Sequence, residues 1–116
     1  MSFQAYQNTQ RITEDPRQTE YRLFGQVTGA LIEAQRVQAT GGPLMEAIDW
    51  NRRVWSALAN DCRDDRNRLP EQVRAQIISL SLFITRYSKR VTREGAPMEP
   101  LIEINRSIMQ GLAGAA

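Results

Sequence analysis

Val73, Ile77, Leu80, Ile84, Tyr87 and Val91 recur at intervals of four, three, four, three and four residues. That rhythm lines one side of an α-helix and cannot serve a strand, whose faces alternate every second residue. Ile78, Leu82 and Phe83 add apolar surface on other sides, so this helix is expected to be central. The punctuation around it is equally plain, with Pro70 opening it and Gly95-Ala96-Pro97 closing it.

The same grammar marks three more helices. Glu14-Asp15-Pro16 opens the first, where Asp15 can cap, Pro16 fits the first turn and Gln18 can complete a capping box. This helix is expected to stop at Thr40-Gly41-Gly42, since glycine tolerates the left-handed turn after a helix end. Pro43 opens the second, whose apolar positions are Leu44, Ala47, Ile48, Val54, Trp55, Leu58 and Cys62. It dissolves in the charged stretch Asp61 to Arg68. Pro100 opens a shorter last helix, with Leu101, Ile104, Ile108 and Leu112 on one stripe.

Nowhere does a Val, Ile, Thr and aromatic alternation run on, and no Asn-Gly or Asp-Gly turn joins apolar runs. Connections of about three to seven residues between helices of about 20 residues favour antiparallel neighbours. The fold class expected is therefore all-α, a compact up-down bundle of about four helices. Residues 1–14 form a polar arm, with Phe3 and Tyr6 free to dock on the bundle or on a partner, and residues 15–116 form a single helical domain. A chain of 116 residues with 41% apolar content can fill one such core without a disulfide or metal staple.

Composition removes most catalytic chemistry. Histidine is absent, and with it go the Ser-His and Cys-His pairs, the usual neutral-pH base and the commonest metal ligand. The single cysteine, Cys62, can form no internal disulfide and no CxxC pair, so it reads as a small buried hydrophobe in a reduced, cytoplasmic protein. Asp61, Asp64 and Asp65 interleave with Arg63, Arg66 and Arg68, which suits a self-neutralising loop better than a cation site needing six or more oxygens. There is no glycine-rich phosphate loop, and Gly25 and Gly29, in GxxxG spacing, suggest close packing of two helix backbones. No enzyme and no cofactor is expected. The start of the chain lacks a basic and then apolar leader, and the run Ile77 to Ile84 is too short to span a bilayer, so neither export nor a membrane partner is expected.

The basic residues number 15, all Arg except Lys89, in a formal charge of +2. Arg86, Lys89, Arg90 and Arg93 gather at the end of the third helix, where they complement the negative end of its dipole. Without a concentrated basic face, nucleic acid is not the expected partner.

Two features invite a partner surface. Asn51 lies on the stripe Ala47, Asn51, Val54, Leu58, and Asn105 on the stripe Leu101, Asn105, Ile108, Leu112. A buried amide must be paired, so these two either bond internally and set register or meet a partner's backbone. In Trp50-Asn51-Arg52-Arg53-Val54-Trp55 the tryptophans are five apart and cannot face the same way, so one anchors the core and the other is partly exposed beside Arg52 or Arg53. Trp with Arg is the composition of an interface hot spot. The candidate partner-binding set is Trp50, Asn51, Arg52, Trp55, Ile104, Asn105, Arg106 and Ile108, forming an apolar groove near the second and fourth helices.

Several stretches together resemble the flagellar biosynthesis regulator FlaF family. They are Pro16-Arg17 with Glu20, Asn51-Arg52-Arg53-Val54-Trp55, Leu69-Pro70 with Arg74-Ala75, Ser79-Leu80-Ser81-Leu82-Phe83-Ile84, and Leu101-Ile102-Glu103-Ile104-Asn105-Arg106 with Gly111-Leu112. They fall in order over Tyr6 to Leu112, with Val54 and Met109 as small departures. The resemblance implies a cytoplasmic, non-enzymatic factor needed for flagellin synthesis or secretion, acting on flagellin with the companion regulator FlbT. A helix-rich bundle with spare apolar surface suits holding an amphipathic flagellin helix. The alternatives are direct binding of flagellin messenger RNA and a self-associating helical scaffold.

Overall fold

The computed structural model describes residues 16–115, with side chains over 18–112, so Asp15 and the arm carrying Phe3 and Tyr6 lie outside the described residues. The described residues form four helices: α1 (Pro16–Arg36), α2 (Gly41–Arg63), α3 (Glu71–Glu94) and α4 (Glu99–Ala115). Among the described residues there is no strand, and the expected all-α up-down bundle is what forms. Thr28 of α1 meets Asn105 and Met109 of α4, whereas Gln35, two turns later, reaches back to Glu99 at 3.1 Å, so α1 and α4 run antiparallel. α1 packs on α2 and α4, and α2 packs along α3. α3 and α4 barely approach one another, and the bundle is flattened to 44 × 39 × 20 Å.

The core follows from the periodicity. Phe24, Val27, Leu31 and Ala34 form the buried stripe of α1 and face Ile48, Trp55 and Leu58 of α2 and Leu101, Ile102 and Leu112 of α4. Phe24 meets Trp55 edge to face, with centroids 5.3 Å apart at 83°, the arrangement that the ring quadrupoles favour. Cys62 is buried, as a small hydrophobe should be.

Helix ends are set by local chemistry, and one departs from expectation. α1 stops at Arg36 rather than at Thr40-Gly41-Gly42. The Ala39 N–H donates to the Ala34 carbonyl at 2.9 Å and the Gln38 N–H to that of Gln35 at 3.2 Å, which is the Schellman pattern. Gln38, with φ of 53°, takes the left-handed position that glycine would fill without strain. Gly41, φ 58°, is used instead to start α2, two residues ahead of Pro43. Gly95, φ 70°, ends α3 as expected, and its N–H caps the Arg90 carbonyl.

The expectation that α3 is central is corrected. Its buried side is Ile77, Ser81, Ile84, Tyr87, Ser88 and Val91, so the true seam includes two serines. Leu80 sits on the flank, half-buried, and Leu82 (52% exposed) and Phe83 (43%) face outward. Helices α1 and α2 share the middle instead, α1 between α4 and α2, and α2 between α1 and α3. The GxxxG reading also fails. A side chain at Gly25 would meet only the Met109 methyl at 3.6 Å, and one at Gly29 would meet nothing within 4 Å, so no second backbone lies against them.

Candidate functional site

Where α1, α2 and α4 converge, the core is polar. Asn51 and Asn105 are both completely enclosed, at 0% exposure. Trp55 Nε1, a donor only, donates to Asn105 Oδ1 at 2.8 Å, which turns the Asn105 amide nitrogen toward the other side. From there Nδ2 donates to Asn51 Oδ1 at 2.8 Å and to Thr28 Oγ1 at 3.1 Å. The Thr28 hydroxyl lies 3.9 Å from the Met109 sulfur. This chain of donors fixes the orientation of both amides and leaves the buried Asn51 Nδ2 without a partner.

Of the two roles open to the asparagines, the structure supplies internal pairing. The bonds join residues on three helices and are satisfied in one vertical and rotational setting of α4, which is how a buried amide specifies register. Asn51, Asn105 and Trp55, the last also at 0% exposure, therefore lie inside the bundle rather than on the surface where the expected binding set placed them. The reason is that a polar residue on an apolar stripe looks the same in sequence whether its partner is another helix of the fold or another molecule.

The remaining residues scatter. Ile104 and Ile108 are half-buried and pack against the core, while Arg106 is exposed and pairs with Glu103 at 3.2 Å. Trp50 is the outward tryptophan, half-buried, with Arg52 nearby bound to Asp49 at 2.7 Å. Trp50 does not point to a cleft with α4. It lines an open groove of about 660 Å³ between the end of α1 and the start of α2. The groove that Trp50 lines is formed by α1 and α2, whereas the expected groove lay near α2 and α4.

Small side chains make this groove. Ala30 and Ala34 from α1, Val37 and Ala39 from the turn, and Pro43 and Ala47 from α2 line it. Val37 is 51% exposed. Charged groups stand among them: Glu33, Glu46, Asp49 and Arg53. A hydrogen bond from Arg36 holds the Glu33 carboxyl below its ordinary range, with the two 2.6 Å apart. Asp49 is bracketed by Arg52 at 2.7 Å and Arg53 at 3.2 Å. Sequence reasoning missed this groove because its signal is a set of scattered alanines, Ala30, Ala34, Ala39 and Ala47, which a search for bulky anchors passes over.

Elsewhere the charges are local. In the α2–α3 connection, hydrogen bonds from the Arg66 side chain, the shortest 2.8 Å, keep the Asp64 carboxyl below its ordinary range. The Arg74 side chain donates to the Asp64 carbonyl at 3.3 Å. Among the described residues no three His, Cys, Asp or Glu side chains are grouped so as to hold a metal ion, and no helix is long and apolar enough to cross a membrane. At the end of α3 Arg90 reaches Glu94 at 3.4 Å and lies 5.6 Å from the Tyr87 ring centroid, while Phe83 stacks on the same Tyr87 ring.

The sequence matches the family described as Flagellar protein FlaF over residues 2–112. No curated protein and no solved structure gives a match. The match runs through all four helices and includes the polar junction and the groove, so it concerns the whole bundle rather than a single motif. A match over almost the full 116 residues assigns the chain to a family; it belongs to the flagellar protein FlaF family.

Proposed function

We propose that this flagellar protein is a non-enzymatic, cytoplasmic, chaperone-like factor that binds flagellin, holding one of its amphipathic helices in the α1–α2 groove. The observation that carries the reading is the open apolar groove with Trp50 on its wall. Alanines leave room for a ridge of side chains from an incoming helix, and a half-buried tryptophan offers large area at little entropic cost. Covering apolar segments of flagellin before export would keep them from polymerising early. FlbT is the second expected partner in the same process.

The test is titration of purified monomeric flagellin into the wild-type protein and the Trp50→Ala variant, followed by calorimetry. Loss of a hot-spot tryptophan should weaken binding by roughly 2 kcal/mol, or about 30-fold. Trp50 is not fully enclosed, so the far-ultraviolet circular dichroism should be unchanged. Equal binding by both proteins would remove the groove from the mechanism. Steeply salt-dependent binding of flagellin messenger RNA, with none of flagellin, would replace the reading with a nucleic-acid one.

A further inference from the structure

The charges around the groove are not equivalent. Three carboxylates, Glu33, Glu46 and Asp49, and one cation, Arg53, line it, in a chain whose formal charge is +2. Arg36 binds Glu33, and Arg52 and Arg53 both bind Asp49. Glu46 makes no ion pair among the described residues, and it is exposed. It stands four residues before Trp50 on α2, hence on the same face and about 6 Å along the axis. An unengaged carboxylate therefore sits one turn from the aromatic wall of an apolar trough. Across the trough lies Glu33, already paired with Arg36, and among the described residues no cation answers Glu46.

Resting on the flagellin reading above, we infer that the groove selects a basic amphipathic helix: a segment whose apolar residues seat against Trp50 and Val37 and whose Lys or Arg, about one turn away, pairs with Glu46. An acidic helix would bring a second carboxylate against Glu46 and be disfavoured. Because Glu46 lies at the lip and stays in contact with water, the pair acts mainly on encounter and on choice of partner, with a modest share of the affinity. The trough supplies the lifetime of the complex, and the carboxylate its selectivity.

The experiment uses purified monomeric flagellin with four proteins, wild type, Glu46→Gln, Glu46→Lys and Trp50→Ala, at about 50 mM and about 500 mM salt, a range over which exposed charges are progressively screened. Glu46→Gln is expected to weaken binding about 3-fold at low salt and Glu46→Lys about 10-fold or more, with all three groove-intact proteins converging at high salt. Trp50→Ala should weaken binding at both salts. If Trp50→Ala weakens binding while both Glu46 variants match wild type at low salt, the basic-helix inference is overturned and the groove reading stands. If Trp50→Ala binds flagellin normally, the groove reading itself fails and the inference falls with it. If the protein instead self-associates with rising concentration and Trp50→Ala abolishes this, the occupant is a second copy, whose α3 exposes Leu82 and Phe83 near Arg86, and the inference is overturned.

Discussion

Replacing Asn105 by alanine removes three hydrogen bonds at once. Trp55 Nε1 loses its acceptor, Asn51 Oδ1 loses its donor, and the Thr28 hydroxyl keeps only the long contact to the Met109 sulfur. Trp55 and Asn51 have no exposed surface through which water could compensate. Two orphaned buried groups at about 1–3 kcal/mol each put the expected loss at about 4 kcal/mol. That is a large fraction of the roughly 6–17 kcal/mol that stabilises a domain of this length. Asn51→Ala should cost less, about 1–2 kcal/mol, because Asn51 makes one of these bonds and already carries an unsatisfied Nδ2. Since either change breaks the same Asn51–Asn105 bond, the double variant should lose about 1–2 kcal/mol less than the two single losses added. Urea unfolding followed by circular dichroism and tryptophan fluorescence gives all three values, provided the m-value holds. A loss below about 1 kcal/mol for Asn105→Ala, or additivity within about 0.5 kcal/mol, would refute the account of a shared polar junction.

Other consequences are simpler to read. Gln38→Gly should raise stability by about 0.5–1 kcal/mol, because relief at φ 53° exceeds the entropy that glycine adds to the unfolded chain; a lower urea midpoint would contradict this. Ile84→Ala, at a fully enclosed seam position, should cost about 3–4 kcal/mol, and Leu80→Ala on the flank about half as much, so equal losses would restore the seam read from spacing alone. Tyr87→Phe should cost about 1 kcal/mol through its 2.6 Å hydrogen bond to the Pro97 carbonyl, with chemical-shift changes confined to the α3–α4 turn. Asp64 is held below its unfolded value by Arg66, so its contribution to the α2–α3 connection is complete above the ordinary carboxylate range and is lost as pH falls through the depressed folded value; an Asp64 carboxyl titrating at or above that of a free aspartate in a nuclear magnetic resonance pH series would rule this out.

Helix identity was legible because period and punctuation agree: Pro70 and Gly95 fall where α3 begins and ends. Asn51 and Asn105 could be recognised as amides on apolar stripes, each needing a partner inside or outside the fold. Their partners could not, since Trp55 and Thr28 meet them only once three helices are assembled, and sequence spacing is silent about distance across a core. The α1 end misled for a related reason. Glycine at Gly41 satisfied the local rule, yet the helix stopped earlier with Gln38 in the left-handed position, where packing of Ala34 and Ala39 outweighs intrinsic preference. Helix α3 looked central because Leu82 and Phe83 are apolar, but apolar residues are common on surfaces and do not by themselves indicate burial. The groove was invisible because a concavity is built from missing bulk, and alanine on a helix reads as ordinary helix-forming material.

The junction around Asn105 ties together residues 50, 54 and 77 positions apart. During synthesis on the ribosome, α1, α2 and α3 all emerge before α4, and until then Trp55, Asn51 and Thr28 lack their common hydrogen-bond partner. The face of α1 and α2 that α4 will cover stays wet and apolar in that interval. Closure of the core is therefore a late, long-range event in the life of the nascent chain, and the period before it is when this protein itself most needs shelter from association.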